Sequence, residues 1–248
     1  MLKGILRKGV MVAVLLVFLP GSCCPAELTA RQILDRVDDS LFPKSFIMKA
    51  RMINYESGKK KNEFLYNIKA NGDAGTLMAF EYPQSEIGKK FLFKDRNIWM
   101  AIPGVSNPIR LSPKQNFMGS SFSNNDLMDT EFKDDYDPVL EGTVQVGSAE
   151  AYKILCTATN PKVTYYKVIM MIEKKSLIPV KFEYYTRSGK LLKTLELSEV
   201  KQLAGRARPT KMVMKSMLEE DAYTAVIIET IEEKVIPLNV FSLDSLRK

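Results

Sequence analysis

Beyond its first forty-odd residues the chain alternates apolar and polar positions with a period of two. Phe46, Met48, Ala50 and Met52 fall in one phase, and Ile47, Lys49, Arg51 and Ile53 in the other. Neighbouring side chains of a β-strand point to opposite faces, so this alternation predicts a strand with one apolar face. After Ser57-Gly58 the next run sets Phe64, Tyr66 and Ile68 against Glu63, Leu65, Asn67 and Lys69. Asn71-Gly72 has the composition of a tight turn, and Met78 and Phe80 then oppose Ala79 and Glu81. Past Gly88, Phe91 and Phe93 alternate with Lys90, Leu92 and Lys94, and Asp95-Arg96-Asn97 turns the chain into "IWMAIP". The second half repeats the habit. Tyr166, Val168, Met170 and Ile172 share a phase, as do Ile178, Val180, Phe182 and Tyr184. Ser188-Gly189 marks a hairpin, and "LLKTLELSEVK", the Met212–Met214 run and "YTAVIIETIEE" complete the series. Roughly ten to twelve strands are predicted, with no shift in composition to mark a linker.

Two short segments depart from this period. In "LTARQILDRVDDSL", Ile33, Leu34, Val37 and Leu41 recur at helical spacing behind Thr29, a residue suited to cap a helix. Near the end, Ser242 can cap the short tail "LDSLRK". The predicted fold class is mainly β: one curved antiparallel sheet forming a barrel or an incomplete barrel, with a few helices against it. Lysine and glutamate crowd the outward phase of many strands, which lipid would not tolerate, and several strands fall short of a tilted span of ~9–11 residues. A water-soluble barrel with an apolar inside therefore fits better than a membrane-embedded one.

Between the two halves lies "KQNFMGSSFSNNDLMD", Lys114 to Asp129, with Phe117, Met118, Phe122, Leu127 and Met128 among serines and asparagines. A connection without a task is usually polar, so this one is expected to cover something. Ser123 and Asp126 have the spacing of a capping box and predict a short helix there. An apolar sheet face either collapses into a filled core or encloses a ligand. The inward phase is rich in methionine, whose unbranched thioether adapts to irregular partners. The expected wall is Met48, Phe64, Met78, Phe80, Phe91, Phe93, Trp99, Met170, Phe182, Met212 and Met214. The expected lid is Phe117, Met118, Phe122 and Leu127.

Composition narrows the chemistry. The 248 residues include no histidine, which removes Ser-His-Asp and Cys-His hydrolases and the usual zinc sites. Neither a G-x-S-x-G elbow nor a glycine-rich phosphate loop occurs. The run Asp126, Asp129, Glu131, Asp134, Asp135 and Asp137 lacks the glycine and terminal glutamate of a calcium loop, and reads as a solvated, charged connection. No catalytic residue, metal or cofactor is expected, although two distant carboxylates or a serine of a lipid hydrolase would leave no local signature.

At the N-terminus, Lys3, Arg7 and Lys8 precede the apolar run Val10 to Leu19, and Pro20-Gly21 and small residues follow. This is the pattern of a secretory signal, residues 1–26, and leaves 27–248 as a single domain. Cleavage after Ala26 would release a soluble form. Gly21-Ser22-Cys23 alternatively has the small-residue spacing of a lipoprotein signal, with Cys23 acylated. Both readings take the protein out of the cytoplasm. Cys156 then stands alone, in phase with Tyr152 and Ile154, and reads as a small buried hydrophobe. The formal net charge of +7 falls to +4 once the three basic signal residues are gone, and the basic residues are scattered. No stripe suited to nucleic acid is present.

Taken in order, "LTARQILDRVDDSL", "AFEYP", "GKKFLFKDRNIWMAIPG", "IRLSPKQNFMGSSFSNNDL" and "NVFSLDSL" resemble the periplasmic lipoprotein-sorting proteins of the LolA/LolB type. The resemblance spans most of the chain after the signal. It implies an open, incomplete barrel with a helical lid, a cavity for acyl chains and no catalysis. It also implies a monomer in the periplasm of a diderm bacterium, handling lipoprotein acyl chains or other lipids between an inner-membrane transporter and an outer-membrane acceptor. The long acidic segment Pro113 to Pro138 departs from the carrier pattern, and acylation of Cys23 would make an anchored acceptor in place of a shuttle.

Overall fold

The computed structural model describes residues 28–72, 74–127, 132–161, 163–219 and 221–246. The signal segment and Cys23 lie outside the described residues, as do Met128, Asp129 and Glu131.

Helix α1 (Ala30–Leu41) opens the described chain and is followed by strands β1 (Ser45–Glu56), β2 (Lys59–Asn71), β3 (Gly75–Tyr82), β4 (Lys90–Lys94), β5 (Asn97–Ala101) and β6 (Ile109–Leu111). After the central loop come α2 (Phe132–Asp135), β7 (Tyr136–Val146), β8 (Ala149–Ala158), β9 (Lys167–Glu173) and β10 (Pro179–Tyr185). Strands β11 (Leu191–Leu203), β12 (Arg206–Ser216) and β13 (Ala222–Glu233) complete the sheet, and α3 (Leu243–Leu246) ends the described chain. The thirteen strands form one antiparallel sheet in the order β6-β5-β4-β3-β2-β1-β13-β12-β11-β10-β9-β8-β7. Two meanders, one from each half of the chain, are thus joined where β1 pairs with β13. The sheet is not closed: β6 and β7 are its edges.

The turns follow their residues. Ser57 and Gly58, at φ +50° and +72°, make the two-residue β1–β2 hairpin, whose twist suits the flanking strands. Gly75 starts β3 at φ +127° where a Cβ would stand 2.4 Å from the Phe93 carbonyl oxygen, so only glycine lets β3 and β4 approach.

The period-two pattern separates two faces. Along β1 as far as Tyr55, and along all of β9, buried and half-buried residues alternate without a break. The inner face gathers Met48, Ala50, Met52, Phe64, Tyr66, Ile68, Met78, Phe80, Phe91, Phe93, Met170, Phe182 and Met214 into one continuous apolar cluster. Helix α1 lies on this face with Ile33, Leu34 and Val37 buried in the same cluster. Thr29 caps it as its sequence predicts: its Oγ1 accepts from Gln32 N at 3.2 Å and Gln32 Oε1 accepts from Thr29 N at 3.0 Å. At the other end the buried Arg208 of β12 donates to the Leu41 and Leu203 carbonyls, tying the helix to the sheet.

A smaller cluster covers the outer face, where Leu92, Ile236, Phe241 and Leu246 are buried and Trp99 packs on them. Ser242 caps α3 through Ser245 N at 3.1 Å, as its position predicts.

Elsewhere the outer face is laced with ion pairs. Lys49 meets Glu81 at 2.9 Å, and Arg51 meets both Glu63 and Glu229. Hydrogen bonds from Lys60 and Arg51 hold the Glu63 carboxyl below its usual range, and the Lys49 hydrogen bond does the same for Glu81. A depressed carboxylate stabilises the fold above the unfolded-state pKa, and this contribution disappears as pH falls through the folded value. Unfolding by urea is therefore expected to show stability falling as pH drops below about 5. The acid limb should be shallower in the Glu63→Gln/Glu81→Gln double variant; identical limbs would remove these two groups from the account.

Candidate functional site

The central loop folds onto the concave face. Phe117 N donates to the Phe122 carbonyl at 2.8 Å and Asn124 N to the Gln115 carbonyl at 2.8 Å, so residues 115–124 make a small hairpin. Met118 and Gly119, at φ +48° and +68°, turn its tip through two successive left-handed residues. A 3-10 turn, Asn124–Leu127, follows, where the sequence predicts a short helix. Asp126 Oδ2 accepts from Ser123 N at 2.7 Å, the aspartate arm of the predicted capping box.

Phe117 and Phe122 are buried, and Met118 and Leu127 pack at the rim of the inner cluster. The Phe117 ring is the centre of the plug: its centroid lies 4.8 Å from Phe91, 6.0 Å from Tyr66 and 6.4 Å from Phe93. Beneath it Phe64, Tyr66, Phe80 and Phe91 contact one another in a chain, with centroids 4.8–6.1 Å apart from ring to ring. On the opposite half, Phe132 of α2 covers Phe182 at 6.3 Å. Side chains of the loop and of α1 thus occupy the space before the sheet.

Polar anchors hold this plug at both ends. Toward β1 and β13, Ser121 N donates to Thr224 Oγ1 at 2.9 Å, Thr224 Oγ1 donates to Asn54 Oδ1 at 2.8 Å, and Asn54 Nδ2 donates to the Met118 carbonyl at 3.3 Å. Ser121, which enters this chain through its backbone N–H, and Thr224 and Asn54, which enter through their side chains, are all buried. Toward β11, Asp126 pairs with Lys193 at 2.9 Å and accepts from the Tyr165 hydroxyl at 2.7 Å. The two charged side chains are 5% and 13% exposed, so this pair is desolvated and strong only while it is intact. Burial, with the Asp126 charge beside it, holds the Tyr165 phenol well above its usual range, so it remains a donor. Tyr136 donates in turn to the Tyr165 carbonyl at 2.9 Å. A second carboxylate, Asp135, accepts from Arg96 Nη2 at 2.6 and 2.8 Å and from Asn160 at 2.8 Å.

Against the expected wall, ten of the eleven residues lie on the concave side: nine are buried there, and Met212 is half-buried against them. Trp99 is the correction. It pairs with Leu92 across β4 and β5 and faces outward under the C-terminal segment, while Ile98 and Met100 take the inner positions. Both faces of these two strands are apolar, so the period of two separates the faces without saying which is inside. The acidic run is a second correction. The side chains of Asp126 and Asp135 are not solvated; they are 5% and 6% exposed and both are paired. Pairing with Arg96, 39 residues away, and with Lys193, 67 residues away, leaves no local mark. The same distance hides the role of Asn54 and Thr224. Tyr66 differs from the other phenols: it is 1% exposed and its hydroxyl has no hydrogen-bond partner among the described residues.

No group of three or more histidine, cysteine or acidic residues able to hold a metal is found among the described residues. Among them, no helix is long and apolar enough to cross a membrane.

A thirteen-stranded open sheet whose concave apolar face is covered by a helix and a loop defines a LolA-like protein. Solved structures of the same build include a LolA superfamily protein of Nitrosomonas europaea (28% identity, TM-score 0.78, 88% of this chain and 100% of that one). A domain of Vibrio parahaemolyticus titled as an outer membrane lipoprotein-sorting protein superposes equally well (21% identity, TM-score 0.78, 88% and 98%). So does a DUF1329 family protein of Desulfovibrio piger (21% identity, TM-score 0.79, 88% and 97%). A family model described as "-like: Uncharacterized protein" matches residues 72–248, and the chain belongs to that family. A comparison with curated protein sequences finds no match.

Two outcomes are expected of the site. Phe117→Ala should lower stability by about 3–5 kcal/mol in urea unfolding, the range for emptying a buried aromatic site. Asp126→Asn should cost about 3 kcal/mol by stranding Lys193, and Lys193→Met in the same chain should restore much of it. Additive effects of the two changes would show that the pair does not act as a unit.

Proposed function

We propose that this protein is a non-catalytic carrier or acceptor that buries the acyl chains of lipoproteins or lipids against its concave face in the bacterial cell envelope, on the way to the outer membrane. The observation that carries this reading is the covered wall itself: an apolar face lined by methionine and phenylalanine, plugged by a loop that is anchored by a few polar contacts. Exchange of the plug for an acyl chain is energetically open. A chain burying about ten methylenes gains ~8 kcal/mol, which exceeds the ~3–5 kcal/mol tied up in one buried phenylalanine. The remainder must be offset at release, which calls for a membrane or a partner protein at each end of the route. An inner-membrane transporter and an outer-membrane acceptor fit those roles. The solved relative titled as lipoprotein-sorting supports the same direction.

A second reading has one observation in its favour: with Phe117 in place the interior is filled, as in a docking module that carries nothing. The two separate on bound lipid. The protein without its signal, purified from a bacterial envelope without detergent, is expected to yield stoichiometric acyl lipid by mass spectrometry of organic extracts. Met212→Glu, a charge at the half-buried margin of the wall, should fold by circular dichroism and lose most of that lipid. A lipid-free, fully stable wild type would leave the docking module standing.

A further inference from the structure

Among the described residues two buried side-chain polar atoms lack a hydrogen-bond partner, the Ser123 Oγ in the covering loop and the Tyr66 hydroxyl in the wall itself. Tyr66 stands in mid-strand on β2, between Ala50 of β1 and Phe80 of β3. Its ring is 4.8 Å from Phe80 and 6.1 Å from Phe64, and Phe117 covers it at 6.0 Å. The residue is 1% exposed, and its hydroxyl contacts no hydrogen-bond partner among the described residues. Two other buried phenols are satisfied: Tyr136 on the Tyr165 carbonyl and Tyr165 on Asp126. Every other aromatic of this half of the wall, Phe64, Phe80, Phe91 and Phe93, is a phenylalanine. Phenylalanine at position 66 would keep the ring contacts without burying an unsatisfied hydroxyl, which weakens the closed fold. The hydroxyl is therefore a cost in the closed state, and the ring that carries it lies against Phe117 of the plug.

Resting on the carrier reading, we infer that Tyr66 is the polar contact of the cargo site: once Phe117 withdraws, its hydroxyl donates to a carbonyl oxygen of an ester- or amide-linked acyl chain. A wall made only of hydrocarbon grips any greasy chain equally. One buried donor among phenylalanines selects chains that bring an acceptor to its position, because a chain without one leaves the hydroxyl unpaired. The ligand class is thus an acyl lipid, not a free hydrocarbon or an ether lipid. Ester-linked phospholipid and acylated lipopeptide both present that carbonyl.

The test compares wild type with Tyr66→Phe on two matched pairs of probes. One pair is dioleoyl phosphatidylglycerol and its ether-linked dialkyl analogue. The other is a diacylglyceryl-cysteine lipopeptide and the same peptide with ether-linked chains. Wild type should bind the ester member about tenfold more tightly than the ether member in at least one pair, the size of one net hydrogen bond. The pair that shows it names the source of the carbonyl. Tyr66→Phe should bind both members alike, and its lipid-free form should unfold at a higher urea concentration than wild type. Three results overturn the inference: equal binding of ester and ether by wild type, a preference that survives in Tyr66→Phe, or a lower unfolding midpoint in that variant. Wild type that binds none of the four probes overturns the carrier reading together with it, whereas equal binding of ester and ether leaves that reading intact.

Discussion

A sheet that is apolar on one side cannot leave that side in water, and everything else in this molecule answers that constraint. The hydrophobic effect is undirected: it requires that the concave face be covered and does not specify by what. Helix α1 covers part of it with Ile33, Leu34 and Val37, and the central loop covers the rest with Phe117 and Phe122. The loop has no regular structure deep enough to hold it there. Its position is fixed instead by polar contacts, to Asn54 and Thr224 at the hairpin tip and to Lys193 and Tyr165 from Asp126. The apolar side chains supply the driving force and the polar contacts supply the register.

That division explains what the sequence could and could not reveal. The strands of each half, the two turn pairs Ser57-Gly58 and Ser188-Gly189 and the Thr29 cap are all local in origin, and each can be read from a few adjacent residues. The fold class follows from their number and from the polar outward phase. The inward phase of β1 to β4, β9 and β12 was likewise legible, because lysine or glutamate marks its opposite, whereas in β10 a bulge between Pro179 and Lys181 takes Val180 out of the phase of Phe182 and Tyr184. Trp99 was not, since Leu92 beside it is also apolar and the C-terminal segment that covers both is more than a hundred residues away. Strand β7 hides for another reason: it is an edge strand whose bulge between Leu140 and Gly142 breaks the period. It also begins in the acidic stretch that reads as a connection.

The buried carboxylates illustrate the same limit at the level of single groups. Asp126 and Asp135 sit in a run of acidic residues, and composition assigns them with their neighbours. Their partners come from β11 and from the β4–β5 turn, and only the folded sheet brings those within hydrogen-bond distance. A buried charge is tolerable only when such a partner is present. Tyr66 is the converse case. Its pattern is that of any inward aromatic, and the feature that sets it apart, a hydroxyl without a partner, exists only once the neighbours are placed.

The open seam between β6 and β7 has a mechanical consequence. A closed barrel has a perimeter set by a complete ring of backbone hydrogen bonds, and widening it means breaking a whole ladder at once. Here the ring is interrupted, and the β4–β5 turn is tied to the start of β7 by side chains, Arg96 to Asp135. Such a tie lets go one contact at a time. The distance between the two edges of the sheet can therefore change in small steps with every strand pair intact.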